Sequence, residues 1–144
     1  MRNKIIILIL LSLSLLNASE YADIVNVKAN KAGNKYSFSV SVQSPDISCE
    51  QYANWWEILS EDGKLLYRRI LWHSHTKEQP VTRSGGSLTL RPSQIIYIRA
   101  HLNNRGYGGD VYKGSVLDGF LKTSDYSFDK SIESLKPQAT ECWY

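Results

Sequence analysis

Tyr36, Phe38, Val40 and Val42 alternate without interruption with Ser37, Ser39, Ser41 and Gln43. Only an extended chain places apolar side chains spaced by two on one face, so this run predicts a strand with one buried and one wetted side. A strand needs partners for its backbone, and the flanking sequence supplies them. Val25, Val27 and Ala29 alternate with Asn26 and Lys28, and Ala32-Gly33-Asn34 makes the turn into the central run. Downstream, Tyr52 to Leu59 carries Trp56 and Ile58 on one face, Glu61-Asp62-Gly63-Lys64 makes a hairpin turn, and Leu65 to Trp72 returns. Ser87 to Leu90, Ile96 to His101 and Val111 to Leu117 complete seven predicted strands.

Seven short strands with a central tryptophan predict an all-β, two-sheet antiparallel sandwich of immunoglobulin-like or fibronectin type III-like topology over residues 20–120. A lipocalin-like or jelly-roll barrel is the alternative and would want eight or more strands. Trp56 is expected to pin the core. Within the strand Ile96 to His101, inward Ile96, Ile98 and Ala100 leave Tyr97, Arg99 and His101 on the outward side, where Arg99 should meet solvent. Beyond Phe120 the period changes. Phe128, Ile132 and Leu135 are spaced for one short amphipathic helix, with Ser127 as N-cap and Pro137 as stop, inside a tail of residues 121–144.

The amino terminus reads as a secretory signal peptide, residues 1–18. Arg2 and Lys4 precede an apolar run from Ile5 to Leu16 broken by two serines, and small residues follow at the cut after Ala18 or Ser19. That run is too short for a comfortable membrane span, so no transmembrane segment is expected after cleavage. The leader also carries two of the positive charges, and without them 15 Lys and Arg face 14 Asp and Glu. Such a balance gives no reason to expect a nucleic-acid partner. A periplasmic or secreted location makes Cys49 and Cys142, the two cysteines, a predicted disulfide closing most of the domain.

The densest polar stretch runs from Trp72 to Ser84 and holds His73, His75, Glu78, Gln79 and Arg83. In the predicted topology the three connections at residues 44–52, 73–86 and 102–110 share one end of the sandwich. They bring Tyr52, the His73 to Arg83 stretch, His101, Arg105 and Tyr107 to the same pole.

His73-x-His75-x-x-Glu78-Gln79-Pro80-x-Thr82-Arg83-Ser84, with Tyr52-Ala53-Asn54-x-Trp56, Arg99-Ala100-His101 and Gly106-Tyr107-Gly108-Gly109, resembles a family of small secreted bacterial proteins of unknown function. The resemblance spans about Tyr52 to Gly109. In that family proline separates the two histidines, phenylalanine follows the Glu-Gln-Pro, and histidine precedes the Gly-Tyr-Gly-Gly. Here Ser74, Val81 and Arg105 stand at those positions. The resemblance implies a shared fold and loop cluster and names no activity; the Arg105 departure takes away one metal-ligand position.

Three chemistries compete for the cluster. A binding module would use Tyr52, Arg83, Arg105 and Tyr107 for a small ligand or a protein partner, since aromatic faces beside guanidinium groups suit sugars, peptides and carboxylates. A zinc or copper site would use His73 and His75 with Glu78 or His101, because imidazole and carboxylate suit both metals. A polar network of Glu78, Arg83 and Tyr52 could instead be purely structural, fixing the loops of a protein-interaction module. No complete catalytic motif accompanies Ser74 or Ser84, so no catalytic residue is assigned.

Overall fold

The computed structural model describes residues 18–143. The expected leader therefore lies outside the described residues, apart from its last position. Eight strands form: β1 (Asp23–Ala32), β2 (Lys35–Gln43), β3 (Ala53–Ser60), β4 (Leu65–Ile70), β5 (Val81–Leu88), β6 (Ile96–Leu102), β7 (Val111–Ser115) and β8 (Gly119–Thr123). They make an antiparallel sheet in the order β1-β2-β5 and another in the order β4-β3-β6-β7-β8. This is the expected fibronectin type III-like sandwich with one strand added at an edge.

Two strand assignments differ from the sequence reading. Strand β8 pairs with β7 through a turn ending at Gly119, whose φ of 85° favours glycine. Its Leu121 is 79% exposed, so β8 has no buried stripe to announce it. Strand β5 begins at Val81 rather than Ser87, taking Thr82 to Gly86 into the sheet. That segment lacks apolar alternation and is held by backbone pairing to β2, with the Ser41 and Thr82 hydroxyls bonded at 2.7 Å.

The inter-sheet core collects the predicted stripes: Phe38, Val40 and Val42 from β2, Trp56 and Ile58 from β3, and Ile96, Ile98 and Ala100 from β6. Each valine, isoleucine and phenylalanine among them contributes about 1.5–3 kcal/mol through burial. The register of β6 is thus the expected one, yet Arg99 does not meet solvent. A second apolar cluster of Leu59, Tyr97, Val111 and Ile132 lies on the outer face of the five-stranded sheet. The C-terminal segment covers that face and buries both sides of β3 and β6.

That segment is not the helix expected over Ser127–Lys136. It makes one 3₁₀ turn, Lys130–Ser134, capped by Asp129, whose side chain accepts from the Ser131 N–H at 2.9 Å. The physical reason lies in the sheet. Arg68 donates to the carbonyls of Ile132, Leu135 and Pro137 at 2.8, 2.6 and 3.0 Å, holding an irregular backbone, and Leu135 remains 46% exposed. The expected Cys49–Cys142 disulfide is present with a Cα separation of 5.7 Å. Beyond it Trp143 stacks on Trp72, and its N–H donates to the Trp72 carbonyl at 2.6 Å.

Candidate functional site

The three loops meet at one pole, as strand direction requires. Asp46 accepts from the His75 N–H at 2.8 Å and the Ala53 N–H at 2.9 Å. Gln79 accepts from the Ser44 N–H at 2.9 Å, and Asn103 accepts from the Tyr52 N–H at 3.0 Å while donating to the Cys49 carbonyl at 2.9 Å. These polar side chains tie one loop to the next.

His73 and His75 are neighbours, with ring centroids 6.5 Å apart. Arg83 donates to His75 Nε2 at 3.1 Å and to Glu78 at 3.2 Å. Because a guanidinium is always protonated, Nε2 is the acceptor and the proton sits on Nδ1, which is buried without a partner. Burial, and then the Arg83 charge, push the His75 pKa below its usual value. The bond from Arg83 likewise holds the Glu78 carboxyl below its usual range. His73 Nδ1 faces the Trp143 carbonyl at 3.2 Å.

His101 is engaged elsewhere, on the outer face of β6. Its ring stacks on Trp55 with centroids 3.8 Å apart, Nε2 bonds Glu133 at 2.6 Å, and Nδ1 faces the Asn54 amide at 2.6 Å. Burial lowers its pKa against the opposing pull of Glu133. Both ring nitrogens face acceptors, the Glu133 carboxylate and the Asn54 side-chain oxygen, and the neutral ring, with its single N–H, donates to one of them. The structure therefore joins His75 and Glu78 through Arg83, sets His73 beside His75 and against Trp143, and holds His101 with other partners. Among the described residues no three His, Cys, Asp or Glu side chains group to hold a metal ion.

The predicted ligand-binding set also divides. Tyr52 is buried, with its hydroxyl 3.4 Å from the Glu141 carbonyl and its pKa raised by burial and then by Asp46. Arg105 reaches Glu20 at 2.9 Å. Tyr107 lies beneath the Arg99 guanidinium, 3.5 Å from ring centroid to Cζ, and its hydroxyl accepts from Trp55 Nε1 at 3.2 Å. Burial raises its pKa.

Tyr107 leads to Glu57 and Arg68, which the sequence reading did not single out, and to Arg99, which it placed in solvent. Cross-strand register places Arg68, Glu57 and Arg99 in one row, and Ile70, Trp55 and His101 in the next. Glu57 accepts from Arg68 Nε at 2.7 Å and Arg99 Nε at 2.8 Å, and its side chain is 0% exposed. The sequence signal was the outward set of the central strands: Trp55 and Glu57 beside Arg99 and His101, followed by a tail containing Phe128 and Ile132. Charged residues on a sheet face need partners when an apolar tail settles over them.

The cover has a gap. A cleft of about 500 Å³ opens between residues 103–109 and the C-terminal segment, with Arg99, Tyr107, Tyr126, Phe128, Lys130 and Glu133 among its lining. Its rim is fixed by close approach: a Cβ on Gly109 would collide with the Ala22 carbonyl, so β1's lead-in and this loop pack backbone to backbone.

No family model and no solved structure matches the chain. A protein of Halomicrobium mukohataei named "Putative lipoprotein" is 34% identical over 91 residues, which make up 62% of this chain and 45% of that protein. The chain thus spans less than half of the curated relative's length. Among the described residues no helix is long and apolar enough to cross a membrane.

Proposed function

We propose that the chain is an extracytoplasmic binding module whose small ligand occupies the cleft beside Arg99 and Tyr107. The observation that carries this reading is the cleft itself: the cover over the five-stranded sheet opens beside a buried guanidinium flanked by two aromatic rings, Tyr107 and Phe128. Its volume of about 500 Å³ falls in the range of small-molecule sites. The signal-like leader, the disulfide and a relative named as a lipoprotein support an envelope or extracellular setting.

The test is a panel of small carboxylates, phosphates, sugars and amines screened by thermal shift on the mature protein, with hits repeated on two variants. Tyr126→Ala alters a half-exposed cleft wall, whereas Arg83→Ala alters the histidine loop. Loss of binding in the first and retention in the second is expected. The reverse pattern would move the site to His73, His75, Glu78 and Arg83.

A further inference from the structure

We infer that the ligand of this cleft carries a small oxyanion, with an apolar or aromatic body, and that Arg99 is the group that binds the oxyanion. This rests on the cleft being the binding site and adds the ligand's chemical class.

Along the row Arg68–Glu57–Arg99, a single buried carboxylate faces two guanidinium groups. Arg68 spends its remaining contacts on three backbone carbonyls, which are neutral. Arg99 gives Nε to Glu57, while its Nη2 is buried without a hydrogen-bond partner, and the side chain is 6% exposed. A guanidinium so enclosed needs both a counter-charge and acceptors for its N–H groups. Glu133, the carboxylate lining the cleft, is bound to His101.

Carboxylate, phosphate and sulfate all supply the missing acceptors, and a planar guanidinium can grip any of them through two N–H groups. Lys130 and Arg105 also line the cleft and favour the approach of an anion. The Tyr107 and Phe128 rings, 3.5 and 5.0 Å from the Arg99 Cζ, with Tyr126 stacked on Phe128, offer apolar surface for the rest of the molecule.

The experiment titrates the mature protein with benzoate, inorganic phosphate, sulfate and the neutral isostere benzamide, followed by calorimetry and by amide chemical shifts. Benzoate should bind at millimolar concentrations with shifts centred on Tyr107 and Phe128, and benzamide at least about tenfold more weakly, the loss expected for a charged hydrogen bond. Phosphate or sulfate binding at the same residues, competing with benzoate, would identify the oxyanion rather than the carboxylate as the recognised group. Arg99→Lys, which keeps the charge and loses the fork, should weaken benzoate by a similar factor. Should that variant unfold, the benzoate-to-benzamide ratio on the native protein still decides. Equal binding of the two in the cleft, or neutral ligands binding there while no oxyanion does, would overturn the oxyanion assignment and keep the cleft. Shifts centred on His73 and Arg83 would overturn both readings.

Discussion

In a Glu57→Gln variant, the guanidinium groups of Arg68 and Arg99 would stay in the covered face of the sheet with no carboxylate between them. The Glu57 and Arg68 side chains are 0% exposed and Arg99 is 6% exposed, so water meets the row only where Arg99 borders the cleft and cannot solvate both guanidinium groups. Removing one partner of a buried ion pair costs about 3–5 kcal/mol. Two features place this case near the lower end: Arg68 keeps its bonds to three carbonyls, and Arg99 keeps the face of Tyr107. With a urea m-value of about 2 kcal/mol/M, a loss of about 3 kcal/mol lowers the unfolding midpoint by roughly 1.5 M. Tryptophan fluorescence in a urea titration measures it. Adding Arg99→Met removes one of the stranded charges and should recover part of the loss. A single-variant shift below about 0.5 M, or a double variant worse by the full sum, would refute the assignment of Glu57 as counter-ion to both arginines.

A Cys49→Ser/Cys142→Ser variant should lose roughly 2–5 kcal/mol and melt at a lower temperature, and reductant should bring the parent protein to the same melting point. Identical melting curves with and without reductant would show that the tether adds nothing. Stability should also fall as pH drops below about 6.5, because burial holds the pKa of both His75 and His101 below its usual value. The unfolded chain then binds more protons than the folded one, so the contribution is complete above the unfolded pKa and is lost as pH falls through the folded values. Urea midpoints at mildly acidic and neutral pH measure the slope. His101→Gln should flatten it, and an unchanged slope would contradict a neutral buried imidazole.

The inner half of the fold was legible because its signal is local. Phe38, Val40 and Val42, or Ile96, Ile98 and Ala100, declare their common face by a spacing of two, and all enter the core. The same alternation states that Glu57 and Arg99 share the opposite face, but it says nothing of what covers them. That depends on Phe128 and Ile132, which reach the sheet from far along the chain. The His101–Glu133 bond spans 32 residues, and the Arg68 bond to Ile132 spans 64. No periodicity connects such positions. The tail's spacing suggested a helix for the same reason: Phe128, Ile132 and Leu135 satisfy helical geometry, while the Arg68 donors that hold its carbonyls lie in β4. Strand direction did bring the loops to one pole, and Asp46, Gln79 and Asn103 are the residues that lock them there.

Density of polar residues and availability of polar groups are different quantities, and the two regions separate them. The His73 to Arg83 stretch is rich in donors and acceptors, yet its Gln79 takes Ser44 and the His75 carbonyl, and its Arg83 takes Glu78 and His75. The buried groups it leaves without a partner are the Ser74 hydroxyl and His75 Nδ1. Both are neutral groups, and a bridging water can satisfy groups of that kind wherever the site has room and further polar partners. The Arg99 row leaves less in number and more in kind. Its unpartnered Nη2 belongs to a guanidinium that shares its one carboxylate with Arg68. Water can accept from that nitrogen and cannot supply the opposing charge, whereas an oxyanion supplies both. This difference, rather than the number of histidines, directs the search for a ligand to the covered face of β6.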